Sequence, residues 1–359
     1  MNRERALQDV ERQQTLEARL YPPSWVDQLT DRIDLLPVPN WAFYLALWLL
    51  LFSVVTLIHW YDGSYPSGVF YPFHLVLTGT IPYIIALIHF LDRQAERALL
   101  NFRPALNISD SEYIALRYQL TTLPRNSTLA ASLIGIGLAA LILILAPEAW
   151  RRPAAFTASS LSTGFTIIIT VLMWWVISAF AYHTLHQLRL VSDIYARFTR
   201  INLFRLIPLY AFSGLSARTT LGLLLPLYAW YVVLPDTFSR TGNVISAVVA
   251  NIIAGLIFVW PLLGIHRLLV AEKERLLAEN AAQQEAAIAE LHARMASSQL
   301  AGVDSLVKGM EGLEINHKVV SRISTWPWPT ETVRGLVAAL LFPLIVWFGQ
   351  WLLQRILGS

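Results

Sequence analysis

The sequence contains no cysteine, which excludes disulfides, thiolate metal centres and cysteine nucleophiles. Charge is scarce too. Asp, Glu, Lys and Arg make up 14% of the 359 residues, against about 25% in a soluble globular domain. Walker, GxSxG, GxGxxG and HExxH motifs are missing, so no familiar nucleotide-binding, acyl-transfer or zinc-protease signature is present. The first 40 residues are polar and lack the short apolar core of a cleavable signal peptide. The net charge of +3 is spread over several short segments rather than gathered into one patch, and no nucleic-acid partner is expected.

Apolar residues fill the space that charge leaves: 55% of the chain is hydrophobic and its mean hydropathy is +0.51. The expected solvent is the lipid bilayer. A spanning helix needs about 20 predominantly apolar residues. Seven stretches qualify, at 41–60, 70–91, 127–147, 163–187, 219–235, 243–268 and 335–357, and their apolar cores hold no Asp, Glu, Lys or Arg. With the N-terminus in the cytoplasm, 23 Lys and Arg residues fall inside and four outside (Arg151, Arg152, Arg240 and Arg355), following the positive-inside rule. The expectation is an all-α integral protein of the plasma membrane with seven transmembrane helices, N-terminus inside and C-terminus outside. Intramembrane charge drives most proton relays and voltage sensors, so its absence argues against those devices and against an intramembrane acid–base enzyme. No enzyme activity, cofactor or metal is expected.

The long connections are the inner ones. Residues 1–40 form a polar helical segment. Connections 92–126 and 188–218 mix arginine with apolar residues, as a helix does on a membrane surface or in a cytoplasmic bundle. From Leu268 the chain reads LLVAEKERLLAENAAQQEAAIAELHARM, rich in Ala, Leu and Glu and free of Gly and Pro. Val270, Leu277, Ile288, Leu291 and Met295 keep coiled-coil spacing there, with Gln284 interrupting. After a turn near Gly302, Leu306, Met310, Leu313 and Val320 recur at helical intervals. Residues 269–329 should therefore form a cytoplasmic helical hairpin. It ends at Trp326-Pro327-Trp328-Pro329, where two prolines stop the helix and two tryptophans suit the headgroup layer. These four residues are expected to form a hinge before the final membrane helix of 330–359.

Polar residues within the spans are few. Gln350 and Gln354 lie one turn apart on the last span and share a face with Val346 and Trp347. Around a symmetry axis that face would line a water-filled path. Inside one subunit the same amides would make interhelical hydrogen bonds, worth roughly 0.6 kcal/mol each. His59 and His74 fall near the outer ends of the spans, and His89, His183, His186 and His266 near the inner ends. Paired histidines at two depths are the pattern of a two-haem electron carrier. Histidines at span ends also suit the membrane interface, which is the blander reading. Pro82, Pro226, Pro261 and Pro343 each remove an amide from a spanning helix, and neighbouring groups often satisfy the carbonyl so freed.

Taken with the hinge, the topology resembles the seven-helix ion channel superfamily of insect odorant and gustatory receptors. Shared features are the N-in/C-out orientation, short outer loops, cytoplasmic extensions of the later helices and a last helix split in two. That family's final helix carries Thr-Tyr, five apolar residues and Gln-Phe. Here the stretch reads Pro343-Leu344, Ile345 to Gly349, then Gln350-Trp351, so the Gln-aromatic pair matches and the Thr-Tyr pair does not. The resemblance implies a homotetramer whose last helices surround a cation pathway, with Trp347 and Gln350 facing it and the cytoplasmic segments anchoring the subunits. It also implies a small-molecule pocket among the outer halves of the first six helices, where Tyr71, Phe73 and Trp174 are available. The expected function is a ligand-gated, nonselective cation channel. The alternative is a non-conducting membrane scaffold or sensor whose hairpin binds a partner.

Overall fold

A computed structural model describes residues 20–145, 159–199, 202–204, 206–233, 241–297 and 302–357; it leaves the side chains of 241–247, 330, 343, 344, 346, 347, 350, 351 and 353–357 undescribed. Along the chain the helices are α1 (Trp25–Asp34), α2 (Asn40–Tyr61), α3 (Pro72–Phe102), α4 (Asp110–Thr121), α5 (Arg125–Leu145), α6 (Ser160–Phe198), α7 (Ala211–Val233), α8 (Thr241–Ala296), α9 (Val303–Arg322) and α10 (Thr330–Leu357). No strand occurs among the described residues, where β pairing is limited to the bridges Pro23–Pro124 and Leu106–Thr199.

Five helical stretches are long and apolar enough to cross a membrane: α2, Pro72–Ala105, α5, α6 and Val248–Ala296 of α8. The chain is thus an all-α membrane protein. The fifth and seventh apolar runs of the sequence coincide with α7 and α10, both helical.

Polar contacts at the two ends of the bundle set the helix directions. At one end, the Asp62 carboxylate after α2 accepts from the backbone amides of Ser64 (2.9 Å) and Ser162 (3.1 Å) and from the Ser159 hydroxyl. A carboxylate there complements the unpaired amides of the α6 N-terminus. Slight burial would raise the Asp62 carboxyl, but the hydrogen bonds from Ser159, Ser64 and Ser162 hold it well below the usual range. At the opposite end, His183 Nε2 of α6 lies 2.8 Å from Asp92 of α3. His186 and Gln187 donate to the carbonyls of Gln119 (3.0 Å) and Leu120 (3.2 Å) at the end of α4. So α3 runs antiparallel to α2 and parallel to α6.

Between these ends the helices meet through small residues. Apolar burial gives no driving force between helices in lipid, so close backbone approach takes its place. On α5 the face turned to α6 consists of Thr128, Ser132, Gly135 and Ala139. A β-carbon at Gly135 would sit 2.4 Å from the Trp174 carbonyl.

Described parts of connections 92–126 and 188–218 continue the bundle. α3 continues unbroken to Phe102 and α6 to Phe198. Beyond the apolar runs, the rings of Phe102, Tyr195 and Phe212 close on one another at 5.1–5.6 Å. Likewise α9 returns along α8 as a hairpin, with Gly302 at positive φ (84°) where α9 starts. On α9 the expected stripe faces inward, with Leu306, Met310 and Leu313 half-buried and Val320 buried; the departure is on α8. Leu277 and Leu291 are half-buried, but Ile288 and Met295 are exposed. The buried position of α8 beyond Leu269 is Asn280, whose amide donates to the Leu313 carbonyl at 3.0 Å.

Candidate functional site

Between Arg322 and Thr330 the chain is non-helical, and Pro327 and Pro329 offer no amide with which a helix could continue. Side chains from α8 hold this link at three levels. Lys273 donates through Nζ to the carbonyls of Ser321 (2.6 Å) and Ile323 (2.9 Å), a cation on the last carbonyls of α9. His266 Nδ1, about two turns earlier, donates to the Thr325 carbonyl at 2.9 Å. Its ring lies flat on Trp326, with centroids 3.8 Å apart and planes 9° from parallel. Trp326 in turn stacks on Trp328 at 4.5 Å, and Trp328 packs against Phe258 of α8 at 5.3 Å. Pro327 is buried beneath this stack. Three aromatic rings and two cation or imidazole donors therefore pin the start of the last helix to α8.

The hold continues up α10. Pro343 has no amide, so the Ala339 carbonyl loses its helical donor. The Tyr228 hydroxyl of α7 donates to that carbonyl at 2.7 Å, and Asn251 Oδ1 of α8 lies 3.0 Å from the Tyr228 hydroxyl. One hydroxyl thus joins α7, α8 and α10. Pro226 frees the Gly222 carbonyl in the same way, and the Tyr83 hydroxyl of α3 donates to it at 2.8 Å.

Val346, Trp347, Gln350 and Gln354 fall in the helical backbone of α10, and their side chains lie outside the described residues. Around them Leu341, Ile345, Phe348 and Leu352 are exposed, Ile345 at 64%, while Leu336 is buried near the start. α10 thus rests on α7 and α8 along one side and leaves an apolar face uncovered. Tyr71 precedes the first turn of α3 and stacks on Phe73 at 5.8 Å; Phe73 meets Trp230 of α7 edge-on at 5.5 Å. Trp174 belongs instead to the α5–α6 contact at Gly135. His59, Tyr65 and His74 form a buried cluster beside Phe73, with ring centroids 4.5 and 4.6 Å from His59. Among the described residues no group of three or more His, Asp or Glu is placed to hold a metal ion.

Sequence reasoning missed the aromatic clamp of His266, the tyrosine donors and a cleft of about 470 Å³ between α2, α3 and α7. The small residues Gly79, Ala86 and Ala229 that open the cleft are visible in the sequence, but which helices face one another is not. No protein-family profile, curated protein or solved structure matches the chain.

Proposed function

We propose that this chain is one subunit of an oligomeric, ligand-gated, nonselective cation channel with seven spans, its N-terminus inside and α10 lining the pore. The observation that carries the reading is how α10 is attached. It starts from the Trp326–Pro329 link, touches its own subunit along one side, and leaves Leu341, Ile345, Phe348 and Leu352 uncovered on the helix whose sequence carries Gln350 and Gln354. In this reading a homotetramer brings four such helices to its axis, and movement of α8 reaches α10 through His266 and Lys273. The architectural resemblance to the odorant and gustatory receptor superfamily supports it, and the missing Thr-Tyr pair is its main departure.

The deciding experiment joins assembly to conduction. Purified protein should run as a symmetric oligomer, single cysteines placed on α10 should cross-link between subunits, and cation flux into liposomes should change on Gln350→Leu. A monomer, or an oligomer whose α10 cysteines never cross-link, would sink the channel reading. A second reading, a non-conducting scaffold or sensor, is favoured by one observation. The hairpin exposes Ile288 and Met295 on α8 and Val307, Ile315 and Val319 on α9. On that reading, replacing Ile315 and Val319 by glutamate should abolish partner binding, and neither parent nor variant should carry cation flux in liposomes.

A further inference from the structure

One face of α3 changes character along its length. Leu75, Gly79, Tyr83 and Ala86 line the 470 Å³ cleft, whose walls are almost wholly apolar. Arg93, Arg97 and Leu100, further along the same helical face, line a second concavity of about 580 Å³ together with Glu96 of α3 and Tyr113 and Arg117 of α4. Helical rise makes the cleft about 17 Å long, close to half the hydrocarbon thickness of a bilayer. The first arginine then lies about 10 Å beyond Ala86. A chain of polar contacts joins the two spaces. Tyr44, in the cleft wall, meets His89 Nδ1 at 3.0 Å, His89 Nε2 meets Asp34 at 3.1 Å, and Asp34 pairs with Arg93.

Charge is not balanced in the second space. Asp34 serves Arg93, and Glu96 lies 3.6 Å from Arg117. Arg97 makes no ion pair with any described residue and is exposed. The juxtaposition of a leaflet-deep apolar cleft and an arginine-rich bowl on one helix face fits an amphiphile with an anionic head. Gly79 lets the Trp48 indole lie against α3 as one wall of the cleft: a β-carbon there would come within 2.7 Å of the indole nitrogen, which donates to the Leu75 carbonyl at 3.0 Å.

We propose that this face binds one anionic phospholipid of the surrounding bilayer, its phosphate at Arg97 and Arg93 and an acyl chain in the α2–α3–α7 cleft. The test uses the full chain, delipidated in detergent, and follows its thermal denaturation at fixed salt. The three additives are phosphatidylglycerol, phosphatidylcholine and inorganic phosphate. Phosphatidylglycerol should raise the midpoint more than phosphatidylcholine does, and phosphate alone should do nothing. Arg97→Ala should weaken the apparent affinity for phosphatidylglycerol roughly five-fold while leaving phosphatidylcholine unaffected. Ala86→Phe, or Ala229→Phe on the facing wall, should remove the phosphatidylglycerol effect by filling the cleft, in protein that still elutes as a single species. An equal response to both lipids, a phosphate response as large as the lipid's, or folded Arg97 and cleft variants that bind like the parent would each overturn the proposal.

Discussion

A proline inside an apolar helix leaves one carbonyl without a donor, and a site shut off from water offers no replacement. Tyr83 and Tyr228 supply the missing protons from other helices. Tyr228→Phe should therefore lower stability in detergent by about 1–3 kcal/mol, the usual cost of an unsatisfied buried group. In a Pro343→Ala background the Ala339 carbonyl regains its own amide, so the same substitution should cost clearly less; equal costs in both backgrounds would break the assignment. The prolines were legible from the sequence. Their donors were not, because Tyr83 and Gly222 stand 139 residues apart and only the packing of α3 on α7 brings them together. Asp27 gives a pH prediction. Burial pushes its carboxyl up to about 6, against hydrogen bonds from Ser24 and the Leu123 amide and with help from nearby Asp92. The unfolded chain ionises near 4, so its contribution to stability is whole below about pH 4 and is lost as pH rises through about 6. Measured as wild type minus Asp27→Asn, stability should fall across that window and be level above it.

At the scale of elements, boundaries were the hardest feature to read. The apolar runs announce α2, α5 and α6, but Asp92, Arg93, Glu96 and Arg97 look like the end of a helix when they are its continuation. Charge marks where lipid stops, and backbone hydrogen bonding has no reason to stop there. The hairpin shows a similar displacement. A stripe through Ile288 and Met295 looks like a seam, yet on α8 the buried position is Asn280, whose side-chain oxygen has no hydrogen-bond partner among the described residues. Asn280→Leu should raise the melting temperature of the chain while loosening the pairing of α8 with α9, since a buried seam asparagine holds register at a cost in stability. Cysteine pairs across the seam would read this directly, and the chain has no cysteine of its own to interfere. At the link between α9 and α10, Lys273→Met should speed amide hydrogen exchange in the last turn of α9, because the Ser321 and Ile323 carbonyls lose their cation. Unchanged exchange would mean that the aromatic stack alone fixes the link.

For the whole molecule, composition was enough to name the solvent but not the neighbours. Nothing in a run of leucines says which other run it faces. That information sits in single small residues such as Gly135, whose Cα hydrogens admit the Trp174 carbonyl. Gly135→Leu should separate α5 from α6 and destabilise the bundle by roughly 1–3 kcal/mol or more, as overpacking does elsewhere; Gly137→Leu, with open space beside it, is the matched control.

The continuity of α8 has a mechanical consequence. At 56 residues it is about 84 Å long, and Pro261 within it is the natural fulcrum. His266 then sits about 8 Å from the pivot and Met295 about 51 Å. A rocking of the helix that carries Met295 through 7 Å shifts the Trp326 stack by about 1 Å. Conversely, a weak pull at the tip of the hairpin reaches the root of α10 magnified about seven-fold, so whatever grips the far end needs little force to pry the last helix loose.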